Sequence, residues 1–308
     1  MELPQFRIPI LALPTSSPVE LYIKREDLID PLISGNKYWK LYYCVKQVLS
    51  RNQPATLCSA GGAYSNHIAA LAAVGHQFNL PTVGIIRGEE LEPIAMENPT
   101  LRFAASRGMK LIFVSREIYR DKQKLQAKIE SEIESCVWIP EGGTDKKAVE
   151  GIQYMLSEET QRFDYLCSAV GTGGTLAGIT RFRKEGQKVL GFSVVRDFSQ
   201  RSRIEELSGS KDFDLYDASF GGYGKIPESL VEFINGFWDL YGVALDPIYT
   251  GKMMSSLFQL LEKGYFAEGS KILAFHTGGL QGITGANDFL NRKSRTLIRA
   301  KDNYNVRT

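Results

Sequence analysis

Short apolar runs of strand character alternate with amphipathic helical runs along most of the chain, and this alternation limits the fold more than any other feature. Strands are expected at 19–24, 55–59, 82–86, 110–114, 137–139, 165–170, 189–194 and 272–275. Helices are expected at 38–49, 67–78, 95–106, 117–133, 146–158, 175–184 and 228–240, where apolar residues recur at three- and four-residue spacing. Apolar strands separated by helices predict an α/β fold with mostly parallel sheet covered on both faces. Such sheets place ligands in the loops at the carboxyl ends of their strands.

The chain has 308 residues, a length that favours roughly two domains. No Pro- or Ser-rich linker divides it, so two domains imply that the chain crosses between them more than once. The formal charge of +2 argues against a nucleic-acid partner or a membrane surface. No apolar run approaches the ~20 residues of a membrane-spanning helix. The segment 1–13 has no basic stretch followed by an apolar one, as a secretory signal would. Cys44, Cys58, Cys136 and Cys167 lie far apart with no C-x-x-C pair, which argues against a metal cage or a disulfide framework. A cytoplasmic protein without metal is expected.

The segment 165–170 runs directly into Gly171, Thr172, Gly173, Gly174 and Thr175, and then into a helical run. In such a strand, glycine turn and helix, backbone N–H groups converge without obstruction from Cβ atoms. The positive end of the helix faces the same space, so the arrangement suits a phosphate. A tight connection with no ligand is the plain alternative. The turn is neither a Walker loop nor G-x-G-x-x-G.

Ser34, Gly35, Asn36 and Lys37 stand at the start of an apolar helix. A cation in the first turn opposes the helix dipole. Lys37 is therefore either simply solvated or an amine kept neutral for covalent use. Between a strand and an Ala-rich helix runs Ser59-Ala-Gly-Gly-Ala-Tyr-Ser65-Asn66-His67. Ser65 or Asn66 could cap that helix, but one cap does not account for the glycines and the clustering.

Together these three segments resemble the fold-type II pyridoxal-phosphate enzymes, the tryptophan synthase β-like group of two open sheets. Within that group, 24–27 (Lys-Arg-Glu-Asp), 246–252 (Asp-Pro-Ile-Tyr-Thr-Gly-Lys) and 276–279 (His-Thr-Gly-Gly) resemble the family of 1-aminocyclopropane-1-carboxylate deaminases and D-cysteine desulfhydrases. The similarity runs from about residue 19 to about residue 282. It implies a large cofactor-binding domain of residues 1–39 and 151–308, and a small domain of residues 40–150.

The resemblance also implies roles. Lys37 would hold pyridoxal 5'-phosphate covalently and move the substrate's Cα proton. Asn66 would bond the ring's phenolic oxygen, and Thr172, Gly173, Gly174 and Thr175 the phosphate. Ser65, with the backbone amides beside it, would take the substrate carboxylate. Tyr223 and Tyr249 match two tyrosines of the family's substrate pocket. His67 is either a further polar contact or acid, or a helix-start histidine satisfied locally. A homodimer is what the family suggests.

Two positions bear on the reaction. The family's deaminases resemble one another in carrying glutamate at position 250, placed to protonate the ring nitrogen, and leucine at 277. This chain has Thr250 and Thr277. A hydroxyl is a poor proton source and leaves a weaker electron sink, adequate for expelling a good leaving group. The threonine pair resembles the desulfhydrases. The expected activity is α,β-elimination from a small amino acid, D-cysteine first, giving pyruvate, sulfide and ammonia. A 1-aminocyclopropane-1-carboxylate deaminase and a non-catalytic cofactor-binding protein are the alternatives. The stretch 220–228 departs from the family pattern around Tyr223. His76 and the basic stretch 292–299 read as structural or solvated, and Cys44 as core.

Overall fold

The computed structural model of the chain describes residues 3–300, except 5, 52, 54 and 223. Its strands are β1 (Ile10–Ala12), β2 (Glu20–Lys24), β3 (Thr56–Gly61), β4 (Thr82–Arg87), β5 (Lys110–Val114), β6 (Cys136–Ile139), β7 (Tyr165–Val170), β8 (Lys188–Ser193), β9 (Asp214–Asp217) and β10 (Lys271–Phe275). Its helices are α1 (Asn36–Leu49), α2 (Asn66–Phe78), α3 (Pro99–Ser106), α4 (Arg116–Arg120), α5 (Lys122–Glu132), α6 (Lys146–Ile152), α7 (Gly174–Phe182), α8 (Gln200–Ser208), α9 (Glu228–Tyr241), α10 (Thr250–Glu262) and α11 (Gly282–Arg292).

The strands form two open sheets. One has the order β1-β2-β10-β7-β8-β9, the other β5-β4-β3-β6. Every pairing is parallel except β1 with β2. The four-stranded sheet uses residues 56–139 alone, and the larger sheet takes strands from before and after it. This is the mostly parallel α/β architecture that the alternation predicts, in the two open sheets that the resemblance implies. Each sheet is covered on both faces. Leu230, Ile234, Met253 and Leu257 pack one face of the larger sheet, and Ile152, Leu176, Ile179 and Ile204 the other. On the smaller sheet, Leu41, Val45, Ile68 and Leu71 cover one face, and Leu125 and Ile129 the other.

Several elements differ from the sequence expectation, each for a local reason. The helix expected at 95–106 begins at Pro99, because Asn98 caps it by accepting from Thr100 and Leu101 N–H, and a 3₁₀ run containing Pro93 precedes it. The helix expected at 117–133 is two. Asp121, with non-helical φ −86° and ψ 87°, ends α4 and caps α5. Helix α6 stops at Ile152 and continues as 3₁₀ turns.

Candidate active site

The register of the larger sheet brings the key loops together. Phe275 of β10 pairs with Lys24 of β2, so the segments after both strands leave the sheet side by side. Buried charges fix the first of these segments. Glu26 is ion-paired with Lys24 at 2.9 Å and accepts from the Trp39 indole at 2.7 Å, and Arg25 grips Asp27 with two bonds of 2.8 and 2.7 Å. His276 lies 3.3 Å from Asp27 and bonds the Ala244 carbonyl at 2.7 Å. These residues line no part of the cavity, so the 24–27 motif and His276 act as scaffold.

That scaffold delivers Gly35 against Thr277. Gly35 has φ 67°, and a Cβ there would stand 2.0 Å from the Thr277 carbonyl oxygen, so glycine is required. The Asn36 N–H donates to the same carbonyl. Helix α1 therefore starts with no side-chain cap and carries Lys37 in its first turn. The Lys37 amine donates to Asn36 Oδ1 at 3.0 Å and faces a cavity of about 640 Å³. Burial pulls its pKa down to about 8, against the opposing pull of Asp246.

One turn on, Lys40 is buried and bonds the Gly142 carbonyl and, at 2.9 Å, the Thr144 hydroxyl. Burial first, and the Lys37 ammonium second, hold its pKa well below the usual lysine range. The sequence reading did not single out Lys40. Its position three residues after Lys37, on the same helical face, was the available signal.

The glycine turn forms the facing wall. Gly173 takes the left-handed conformation at φ 94° and opens α7, which has no side-chain cap. The first N–H groups of α7 therefore point into the cavity lined by Thr172, Gly173, Gly174 and Thr175. Asn36 Nδ2 donates to Thr175 Oγ1, Thr172 bonds Thr144, and Gln200 holds the Gly171 carbonyl at 2.6 Å. With Lys40 alongside, the turn has the donors and the charge that suit a phosphate.

The third wall is the loop after β3. Ser65 caps α2, its Oγ accepting from Ile68 N–H at 3.3 Å. It lines the cavity beside the opening amides of α2, so the capping residue is also open to the cavity. Asn66 is oriented by Gln281, which donates to its Oδ1 at 2.8 Å. His67 is 1% exposed; its Nε2 bonds Ser59 at 3.0 Å and its Nδ1 has no partner. Burial, with the Lys37 and Lys40 charges, holds His67 far below the usual imidazole pKa. It stands in the lining as a neutral ring, half satisfied locally, and is no source of a proton at neutral pH.

The last wall holds Tyr249 and Thr277. The Tyr249 ring packs over Gly171, where a Cβ would meet it at 3.0 Å. Thr250 is fully buried behind that wall and is not among the lining residues. Its hydroxyl donates to Asp246 Oδ1 at 2.6 Å and accepts from Asp246 N–H at 3.0 Å. Asp246 also takes the N–H groups of Ile248, Tyr249 and Thr250, so its charge is spent on opening α10. Tyr223 lies outside the described residues.

An amine with a depressed pKa, a glycine turn suited to a phosphate, an amide and neutral hydroxyls line one cavity. These residues fit a cofactor that joins an aldehyde, an aromatic ring and a phosphate. The pyridoxal-phosphate dependent enzyme family model matches residues 1–278. A putative 1-aminocyclopropane-1-carboxylate deaminase of Pyrococcus furiosus is 31% identical, with 92% of each chain covered. A mitochondrial bifunctional D-cysteine desulfhydrase/1-aminocyclopropane-1-carboxylate deaminase of Arabidopsis thaliana is also 31% identical, over 86% of this chain and 73% of that one. The crystal structure of an ACC deaminase homologue superposes with a TM-score of 0.79 at 29% identity, covering 94% and 95% of the two chains. The non-catalytic alternative falls with these matches. The chain is a pyridoxal-phosphate-dependent enzyme, and it belongs to the family of 1-aminocyclopropane-1-carboxylate deaminases and D-cysteine desulfhydrases.

Proposed function

We propose that the enzyme is a lyase that performs α,β-elimination on a small β-substituted amino acid, with D-cysteine as first substrate and pyruvate, sulfide and ammonia as products. One observation carries the reading. The acids lining the cavity are Glu141 and Asp197, and each is paired with a cation, Lys122 at 2.9 Å and Arg203 at 3.1 Å. Thr250 presents a hydroxyl already engaged by Asp246. No lining acid among the described residues is left to protonate a ring nitrogen. That favours expulsion of a good leaving group over opening of a carbon ring.

The cofactor, when bound, supplies the electron sink at the substrate's Cα. The chain's own groups do the rest. Lys37, with a pKa near 8, takes the Cα proton and passes it to the departing sulfur. Ser65 and the first amides of α2 bind the carboxylate, and Asn66 bonds the phenolic oxygen. Thr172, Gly173, Gly174 and Thr175, with Lys40, hold the phosphate. Tyr249 stands on the substrate side, with Tyr223 the second pocket tyrosine that the resemblance implies, and Thr250, its hydroxyl held by Asp246, supplies the ring nitrogen no proton.

The test is keto-acid release from D- and L-cysteine by the cofactor-loaded enzyme. Sulfide and pyruvate from D-cysteine are expected. Release of 2-oxobutanoate from 1-aminocyclopropane-1-carboxylate in place of sulfide would establish the second reading, which the Pyrococcus relative's name favours. We further propose a cytoplasmic homodimer. Four free thiols fit a reducing compartment, and light scattering on the holoenzyme reads the oligomeric state.

A further inference from the structure

The mouth of the cavity carries a cation that the elimination reaction itself does not use. Arg87 ends β4, is exposed, and lines the cavity together with Gly62 and Lys122. Its guanidinium reaches to 3.8 Å from where a side chain on Gly62 would begin, so it stands over the loop that leads to Ser65.

The charges around it do not balance. Lys122 lies 3.1 Å from the centre of the Tyr119 ring, and the Arg87 guanidinium 5.7 Å from the same ring. Among the described lining residues, one carboxylate is paired within this cluster. Glu141 gives one oxygen to Lys122 at 2.9 Å and the other to the Tyr119 hydroxyl at 2.7 Å. The nearby Glu90 is taken by Arg116 at 2.7 Å. Arg203 at the opposite rim is paired with Asp197. Lys40 lies at the phosphate cup. Arg87 is thus left, among the described lining residues, as a cation with a ring contact and no anion.

We propose that Arg87 recognises a second anionic group on the substrate, so that the preferred class is β-substituted amino acids whose leaving group carries a carboxylate. A guanidinium at a cleft mouth binds a carboxylate in a two-bond fork that an amide cannot match. The position suits a leaving group, because the substrate's own carboxylate has the Ser65 loop and the α2 amides. The inference rests on the lyase reading. With S-carboxymethylcysteine the Cα–H and Cβ–S bonds break, the sulfur leaves with its bonding pair and gains a proton, and one water is consumed. The products are pyruvate, ammonia and thioglycolate, with no net oxidation.

The test compares S-carboxymethylcysteine with S-carbamoylmethylcysteine, which have the same length and differ in charge, on the cofactor-loaded enzyme and on Arg87→Gln. Keto-acid release gives kcat/KM, and titration of the cofactor's visible absorption gives Kd without turnover. The wild type should favour the carboxymethyl compound by about tenfold in both, as a charge-assisted bond provides. The preference should shrink with added salt and collapse toward one in Arg87→Gln. Equal handling by the wild type overturns the inference. So does an equal loss for both compounds in Arg87→Gln, which would put Arg87 on the α-carboxylate they share. D-cysteine and β-chloroalanine are the references. Keto acid from these alone overturns the inference and spares the lyase reading. Keto acid from none of the four overturns the lyase reading, and the binding titration still decides for or against Arg87.

Discussion

Asn36 and Thr175 are 139 residues apart in sequence and joined by a side-chain hydrogen bond of 2.7 Å, from Nδ2 to Oγ1. The other end of the same amide accepts from Lys37. One side chain therefore sets the distance between the amine and the phosphate cup. Thr175 receives this bond, so its own O–H remains to donate toward a phosphate. Asn36→Ala is expected to raise the cofactor's Kd about tenfold, the value of one buried hydrogen bond near 1.4 kcal/mol. Equilibrium dialysis against the cofactor reads this, and an unchanged Kd would refute the linkage.

Lys37 should impose a pH dependence on cofactor loading. Only the neutral amine attacks an aldehyde. With a pKa of about 8, the apoenzyme's rate of reconstitution should rise with pH and level off above 8. A free lysine would go on rising toward 10.5. Stability follows the same sign. The folded apoenzyme releases this proton at about 8 and the unfolded chain nearer 10.4, so between these values the unfolded state holds more protons. The wild-type apoenzyme should therefore gain stability relative to Lys37→Met as pH rises through 8. A difference in Tm that stays flat, or falls, over that window contradicts the assignment.

Lys252 ties the neighbourhood of Tyr223 to α10. It is fully buried and donates to the carbonyls of Ser219 at 2.9 Å and Gly222 at 3.0 Å. Burial lowers its pKa to about 8, against Asp246 and Asp217. Lys252→Met leaves both carbonyls without that donor, at an expected loss of about 1–3 kcal/mol. Residue 223 follows directly on Gly222, so KM for the amino acid should rise more than kcat falls. Thermal unfolding and steady-state kinetics test the two halves separately. Unchanged KM would detach this segment from substrate binding.

The sequence made the repeating parts of this fold legible and hid the unrepetitive ones. Eight of the ten strands among the described residues follow from apolar runs. Strands β1 and β9 have three and four residues and half-exposed faces, too little for a period to register. Helix α10 carries Met253, Met254, Leu257 and Leu261 at helical spacing, yet opens without a Ser, Asp or Asn immediately before it. Its cap is Asp246, four residues back. Lys37, Ser65, Asn66, the 172–175 turn, Tyr249 and Thr277 meet in one cavity, because loops at strand ends carry them all. The contribution of Arg87 and Gln281 depended on which strands lie side by side, and no local pattern encodes that, whereas Lys40 shares a helical face with Lys37 three residues before it. Thr250 shows the converse limit. Its place in the motif says what a relative has there, and only the fold reveals that its hydroxyl belongs to Asp246.

The pair Thr250 and Thr277 should divide the two chemistries of the family. In Thr250→Glu a carboxyl enters a fully buried site against Asp246. Two carboxylates that close cannot both ionise, so one keeps its proton near the ring nitrogen. Thr277→Leu replaces a lining hydroxyl, 9% exposed, with an apolar branch. The double variant is expected to lose at least about tenfold in sulfide release from D-cysteine, equivalent to about 1.4 kcal/mol of transition-state binding. It should gain 2-oxobutanoate release from 1-aminocyclopropane-1-carboxylate. Each single variant should fall between. Thr250→Glu also removes the hydroxyl that braces the start of α10, so its Tm should drop while that of Thr277→Leu holds. Both keto acids separate by chromatography, so one assay reads both activities. A wild type that opens the ring as fast as it releases sulfide, or a double variant that keeps its sulfide activity, would show that these two positions do not choose the reaction.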